Sequence, residues 1–173
     1  MIGRWLGPVI AALVAAAAAY ALVLHRTPQF LMSAAVKRLG AAGMNHLTHG
    51  PLANEKSRNI VRPSPDLAYS SCPFDLSTGA VKVIAAPVPA RYWSLSVFDA
   101  DTTAAYVRNN VEANGAPMRV VIARRGQPVP AGWPVTWVNG TRGIALIRIL
   151  VDDRAAFPAI DKARRASSCG LAG

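Results

Sequence analysis

The sequence predicts a mainly β protein of the α+β class. An antiparallel β-sandwich or barrel-like sheet is expected to follow an N-terminal membrane helix and to precede a C-terminal helix. Three patterns predict this order: an uncharged apolar run near the N-terminus, period-two alternation through the middle of the chain, and helix signals near its end. No long helical pattern separates the alternating segments, which argues against parallel βαβ winding.

The composition limits the class of protein. The chain has 173 residues, of which 52% are hydrophobic and 16% charged, with a formal net charge of +10. This length suits one domain, and the low charged fraction excludes a disordered polyelectrolyte. The basic residues are dispersed without a recognition motif, so nucleic acid is not an expected partner. Membrane lipid with anionic head groups, or a polyanionic envelope polymer, suits the charge better.

The apolar run Leu6–Leu24 contains no charged or strongly polar side chain. As a helix it spans roughly 28 Å, close to the hydrocarbon thickness of a bilayer. A cleaved signal peptide and a buried core helix are alternatives. The run is longer than the apolar core of about 7–15 residues typical of signal peptides, which favours an uncleaved anchor within residues 1–26. The Lys and Arg counts on its two sides do not fix its orientation, because that rule is weak for long translocated domains.

A second helical segment follows. Thr27 and Pro28 are typical of a helix start, as N-cap and first-turn residue, and the pattern continues to about Gly40 or Gly43. This helix either begins at Thr27 or continues directly from the membrane helix.

A polar, proline-containing stretch, residues 54–65, predicts a linker. The expected divisions are therefore an anchor at residues 1–26, a helical and linker segment at 27–58, and a β-rich domain at 59–173.

Five segments of the β-rich part alternate with period two. They are Ala80–Ala86, Tyr92–Asp99, Arg119–Arg124, Val135–Val138 and Gly143–Val151. The last is apolar on both faces, so we expect it to be central in its sheet.

The end of the chain predicts a helix. Pro158 suits its first turn, Asp161 lies near the positive end of the helix dipole, and basic residues lie near the negative end. Gly170 is expected to terminate it.

Two cysteines, Cys72 and Cys169, lie far apart in the sequence. Neither belongs to a Cys-x-x-Cys pair or a His/Cys cluster, so the sequence gives no support for a zinc site. One disulfide in an exported domain and two buried thiols in a cytosolic protein both fit this pattern.

Three short motifs occur in a fixed order: Pro65-Asp66 to Tyr69-Ser70, the Phe-Asp-Leu-Ser stretch from Phe74 to Val81, and Arg-Tyr-Trp-Ser-Leu-Ser-Val-Phe-Asp from Arg91 to Asp99. Together they resemble domain-of-unknown-function family 1254 over about residues 59–169. The chain is similar to the short, membrane-anchored, single-domain form found in bacterial envelopes.

That resemblance implies a β-rich domain in the bacterial envelope, anchored in the inner membrane by one span, with the C-terminal domain in the periplasm. It implies a Cys72–Cys169 disulfide in that oxidising compartment. It also implies a possible partner, a protein carrying the companion uncharacterised domain, family 1214. It supplies no reaction.

No catalytic constellation is evident. The Ser70-Ser71-Cys72 run lacks a nucleophile elbow, and no histidine follows His49 to complete a triad. His46 and His49 have helical spacing but no third ligand, so we interpret them as polar residues at a frayed helix end and expect no metal. No cofactor is expected either.

The candidate ligand-binding residues are Asp66, Tyr69, Asp99 and Asp101. The aspartates equally suit turns, which their side-chain oxygens commonly cap. Two functions remain open: a non-catalytic interaction module, and a small-molecule-binding or hydrolytic domain acting on an envelope metabolite. A pocket that gathers the four side chains would favour the second.

Overall fold

The computed structural model describes residues 3–54 and 63–172. It has a long N-terminal helix, two packed β-sheets and a short C-terminal helix, which confirms the predicted mainly β class with α+β character. Most of the predicted linker, residues 55–62, lies outside the described residues.

The N-terminal helix α1 is continuous from Gly3 to Leu39 and ends in a short 3₁₀ turn at Gly40–Ala42. The predicted helix start at Thr27 is therefore wrong, and the alternative of one uninterrupted helix is confirmed. The Thr27 hydroxyl donates to the carbonyl of Val23 at 2.6 Å, inside the helix. The preceding turns are already helical, so no N-cap is needed at Thr27.

In the part of the chain that the structure describes, nine strands form two sheets. Their bounds are β1 Thr48–His49, β2 Leu67–Asp75, β3 Val81–Ala85, β4 Trp93–Phe98, β5 Ala104–Asn109, β6 Met118–Ala123, β7 Val135–Trp137, β8 Arg142–Leu150 and β9 Ser168–Leu171. Sheet A has the order β1-β2-β8-β4-β5, and sheet B has the order β7-β6-β3-β9. The five alternating segments are thus strands β3, β4, β6, β7 and β8, and β8 is central in its sheet as predicted.

One strand pair departs from the antiparallel expectation: β6 and β7 are parallel. The connection between them, residues 124–134, crosses the outer face of sheet B. There Val129 and Trp133 pack on the buried side chains of Val121 and Ala123. Such a crossover returns the chain to the same end of the sheet, so the next strand runs in the same direction.

The C-terminal helix α2 spans Phe157–Arg164, so the predicted helix is confirmed but its predicted end is wrong. Gly170 belongs to strand β9, where it pairs with Lys82 of β3. The chain becomes extended here because β9 completes the edge of sheet B and places Cys169 against β2.

The core lies between the two sheets. Its largest side chains include Trp93 and Phe74 of sheet A and Met118 of sheet B, each no more than 2% exposed. A disulfide between Cys72 of β2 and Cys169 of β9 joins the sheets across this core, with the Cα atoms 6.4 Å apart. The disulfide implied by the family resemblance is confirmed.

The last turns of α1 pack on the outer face of sheet A. Met32 and Val36 are buried there against Ile144, with Phe98 and Leu146 alongside. The face of β8 that points away from the sandwich core is therefore covered by the helix, which explains why β8 is apolar on both faces.

Gly143, at the start of β8, lies very close to the neighbouring strands β2 and β4. A Cβ atom here would collide with the carbonyl oxygen of Phe98 and would lie 2.5 Å from Cζ of the Phe74 ring. Only glycine fits this position without a shift of the neighbouring strands.

Candidate functional site

Asp99 ends strand β4 with a buried carboxylate, and the residue is 4% exposed. Its Oδ1 accepts hydrogen bonds from the N–H groups of Ala100 at 2.6 Å and Gly140 at 2.9 Å, and its Oδ2 accepts one from Asn139 at 2.7 Å. These bonds join the β4–β5 turn to the β7–β8 turn. The carboxylate therefore caps two turns, the alternative that the sequence left open.

Asp101 also caps the β4–β5 turn, two residues after Asp99. Its Oδ1 accepts a hydrogen bond from the N–H of Thr103 at 3.0 Å. The backbone and side-chain hydrogen bonds from Thr103 lower the pKa of this exposed carboxyl. Asp101 is thus ionised at neutral pH and stabilises the turn.

Asp66 and Tyr69 lie at the opposite end of sheet A. The Tyr69 hydroxyl accepts a hydrogen bond from the N–H of Ser64 at 3.0 Å, and the Asp66 carboxyl is exposed. In the sheet register, Leu67 pairs with Leu150 of β8, whereas Phe98, next to Asp99, pairs with Ile144. The distance along β8 between Ile144 and Leu150, at the usual rise per strand residue, is about 20 Å. The structure therefore does not bring the four candidate residues into one pocket.

Arg164 forms a buried polar network that the sequence did not predict. The residue is 1% exposed, and it donates to the carbonyl oxygens of Tyr69 at 2.9 Å and Gly50 at 2.7 Å. Its Nε also donates to Asp161 of the same helix at 2.8 Å. Because the guanidinium is fully engaged, this network fastens α2 to strand β2 and to Gly50, the residue after β1.

Asp161 balances the charge of this network. Burial alone would raise the pKa of its carboxyl, but hydrogen bonds and positive charges from Arg164 and Arg165 together lower it. Asp161 lies three residues before Arg164 and four before Arg165, a helical spacing that predicts these two ion pairs. Nothing in the sequence shows that Arg164 is buried.

His49 lies in strand β1, not at a helix end as predicted, because residues 48–49 pair with β2. Its Nδ1 is 2.9 Å from Oγ of Ser70. This is the distance of a nucleophile–base pair, but Ser70 is completely buried, so no substrate reaches its hydroxyl. Burial and the charge of Arg164 lower the pKa of His49, which keeps the ring neutral near pH 7.

No cluster of three or more metal-ligating side chains occurs within residues 3–54 and 63–172. Cys72 and Cys169 are joined in the disulfide. Neither thiol can therefore act there as a nucleophile or metal ligand.

A cavity of about 520 Å³ lies between α1 and the β domain. Apolar side chains of Met32, Val36 and Met44 line it together with the cations of Lys37 and Arg142. Its volume is that of a small-molecule site. Its lining contains no carboxylate or histidine to transfer a proton, so the cavity can bind but offers no general acid–base pair.

The outer face of sheet B carries aromatic rings with cations above them. Nζ of Lys82 and Cζ of Arg119 lie 5.6 and 5.1 Å from the Trp133 ring centre, and Cζ of Arg125 lies 5.8 Å from that of Trp137. From the sequence alone the basic residues are only dispersed, and no motif there predicts this grouping. The alternation of side chains along β3 and β6 is the sequence signal that could have predicted that Lys82 and Arg119 share the outer face.

Comparison with known proteins identifies relatives but no activity. A family model described as "Protein of unknown function (DUF1254)" matches residues 44–170. The VPA0106 protein of Vibrio parahaemolyticus has a similar structure, with a TM-score of 0.64 at 15% identity over 86% of this chain and 35% of that one. An uncharacterised protein of Burkholderia cenocepacia matches with a TM-score of 0.47 at 12% identity, over 73% of this chain and 34% of that one. The chain thus spans about a third of the length of either protein, and no curated protein matches it.

Proposed function

The chain belongs to the DUF1254 family of proteins of unknown function, and from that premise we propose that it is a non-catalytic interaction module of the bacterial envelope. In this proposal one span of α1 anchors it in the inner membrane, and the β-sandwich faces the periplasm. The observation that carries the proposal is the division of α1 into two parts with different surroundings.

The first part of α1 is exposed along its whole apolar length. The helix is long and apolar enough to cross a membrane, and its apolar window has no residue buried inside the protein. Leu13, Val14 and Leu22 are each more than half exposed. So continuous an apolar surface is unfavourable in water and favourable in lipid, which supports an anchor.

The last part of α1 is fixed to the β domain. Met32 lies about 12 Å along the helix from Leu24, the last residue of the apolar run. Because Met32 and Val36 pack on sheet A without a flexible connection, the helix would hold the domain close to the bilayer surface. A fixed height and orientation suit a module that meets a partner at the membrane.

The disulfide supports the periplasmic side. A bond between Cys72 and Cys169 persists in oxidising compartments and is rare in the cytosol. Both sulfurs join elements of the core, so the bond belongs to the folded domain rather than to an exposed redox site.

The arrangement of the candidate site supports the proposed non-catalytic role. Asp99 and Asp101 cap turns, Asp66 and Tyr69 lie at the other end of the sheet, and the Ser70 hydroxyl is buried. No pair of accessible acid and base groups is gathered around the cavity.

We further propose that the partner is a protein carrying the companion domain, family 1214. The chain corresponds to 35% of the Vibrio protein that shares its fold, so most of that protein has no counterpart here. A short anchored chain could meet such a missing part as a separate polypeptide. Co-expression of the two proteins, followed by purification from detergent, tests this pairing; independent elution of the two would contradict it.

Carbonate extraction of membranes tests the anchor. The chain is expected to stay in the pellet, whereas Leu13→Arg combined with Ala17→Arg should release it, because each arginine costs about 2.5–3.5 kcal/mol at the centre of a span. The matched control, Leu31→Arg with Ala34→Arg, changes exposed positions beyond the apolar run and should leave the chain in the pellet. Release of the unaltered chain by carbonate would contradict the anchor.

A further inference from the structure

The outer face of sheet B presents an organised group of cations and indole rings, which we call the basic face. It consists of Lys82, Arg119, Arg125, Trp133 and Trp137. Lys82 and Arg119 alternate along β3 and β6 with buried core residues, so both point away from the sandwich. The side chains of Arg119, Arg125 and Trp137 belong to exposed residues.

Within residues 3–54 and 63–172, none of these cations forms an ion pair with a carboxylate. The sequence contains no Asp or Glu in residues 76–98, 113–151 or 162–173, which include all four strands of sheet B and the crossover connection. In the part of the chain that the structure describes, the ion pairs with carboxylates are made by Arg142, Arg164 and Arg165, none of which belongs to the basic face. The strands of sheet B and the crossover connection therefore contribute positive charge and no carboxylate to this surface.

The indole rings hold the cations in place. Lys82 and Arg119 share the Trp133 ring, although two like charges near one ring repel each other. The ring itself is fixed by its packing on Val121 and Ala123. An anion that binds both cations would relieve their repulsion and would find their side chains already ordered.

The basic face lies on the side of the β domain opposite to α1. The helix α1 packs on the outer face of sheet A, and sheet B covers the opposite side of the core. A helix packed on a sheet runs along its plane, and the two sheets of a sandwich are stacked nearly parallel. If α1 crosses the bilayer with the usual tilt of about 20°, the basic face points sideways, along the membrane surface rather than onto it.

We propose that the basic face docks an acidic protein surface, with carboxylates that pair with Arg119, Arg125 and Lys82. This inference rests on the proposed interaction function and specifies the chemistry of the partner. Arginine and tryptophan are the residues that dominate binding at protein interfaces. The planar guanidinium matches a carboxylate through two parallel hydrogen bonds. The sideways orientation places a neighbouring membrane protein, rather than lipid, opposite this surface.

The test measures binding of a fluorescent decaglutamate peptide to the full chain in nanodiscs of zwitterionic lipid. Arg119→Ala with Arg125→Ala should weaken binding about tenfold or more, the effect typical of two central interface residues. The control, Arg154→Ala with Lys162→Ala, removes the same charge from exposed positions near α2 and should change binding less than about twofold. An unchanged thermal midpoint, followed by far-ultraviolet circular dichroism, shows that both variants remain folded.

Three outcomes would overturn the inference: equal weakening in the two double variants, tighter binding of an acidic polysaccharide of equal charge, or tighter binding of phosphatidylglycerol vesicles. If carbonate releases the chain, the same peptide titration is made on the released full chain without nanodiscs. Loss of peptide binding only in the Arg119/Arg125 variant, in a chain that carbonate releases, would leave the docking surface standing while the proposed anchored function fails.

Discussion

Removing the Cys72–Cys169 disulfide should greatly reduce the stability of the β domain. The cysteines are 97 positions apart, so the bond closes most of the domain into one loop in the unfolded chain. The chain-entropy relation gives about 4.7 kcal/mol for a loop of this length. Cys72 is completely buried, so replacing both cysteines by alanine also leaves a small void. We expect a total loss of about 5 kcal/mol, a large part of the typical stability of a domain.

Urea unfolding of the full chain in detergent micelles measures this loss. The buried Trp93 reports the core by its fluorescence, and the span of α1 stays in the micelle. The Cys72→Ala, Cys169→Ala double variant avoids free thiols. A loss of less than about 1 kcal/mol would refute the loop-closure reasoning, as would an equally stable unaltered chain after complete reduction.

Three further predictions concern packing and protonation. Gly143→Ala should lower the free energy of unfolding by about 1–3 kcal/mol, because its Cβ collides with the neighbouring strand. The control Gly170→Ala, whose Cβ meets nothing within 4 Å, should leave the free energy of unfolding unchanged. Equal urea midpoints for the two variants would contradict this prediction. Val36→Gln should cost about 2 kcal/mol, because it buries an amide under the helix, while Lys37→Gln at the exposed neighbour should cost almost nothing in the same titration. Because the pKa of His49 is lower in the folded state, the unfolded state binds more protons, and the thermal midpoint should fall as the pH drops below about 6.5. His49→Asn should remove part of that fall. A variant with the same pH profile as the unaltered chain would contradict the prediction.

Strand prediction succeeded where apolar residues recur with period two, as in β3, or fill both faces, as in β8. Segments such as β3 alternate visibly because their inner side chains meet the core and their outer ones meet solvent. Strand β2 escaped prediction because its middle contains Ser70, Ser71 and Pro73, which interrupt the apolar pattern. Strand β9 follows a helix and contains Gly170, so local signals indicated a helix end.

The candidate site was predictable only in its local part. Asp99 was expected as a possible turn cap, but its partners Asn139 and Gly140 lie about forty positions away and depend on the sheet topology. Arg164 carries no local mark of burial, since its carbonyl partners, Tyr69 of β2 and Gly50 just after β1, lie far away in the sequence. Long-range contacts of this kind require the register of the sheets, which a single sequence does not specify.

Reporter fusions at the C-terminus test most directly whether the β domain lies outside the cytosol. Alkaline phosphatase becomes active only where its disulfides form, whereas green fluorescent protein exported unfolded stays dark. An active phosphatase fusion and a dark fluorescent fusion, both in the membrane fraction, are the expected results. An inactive phosphatase with a bright fluorescent fusion would place the domain in the cytosol and contradict the account.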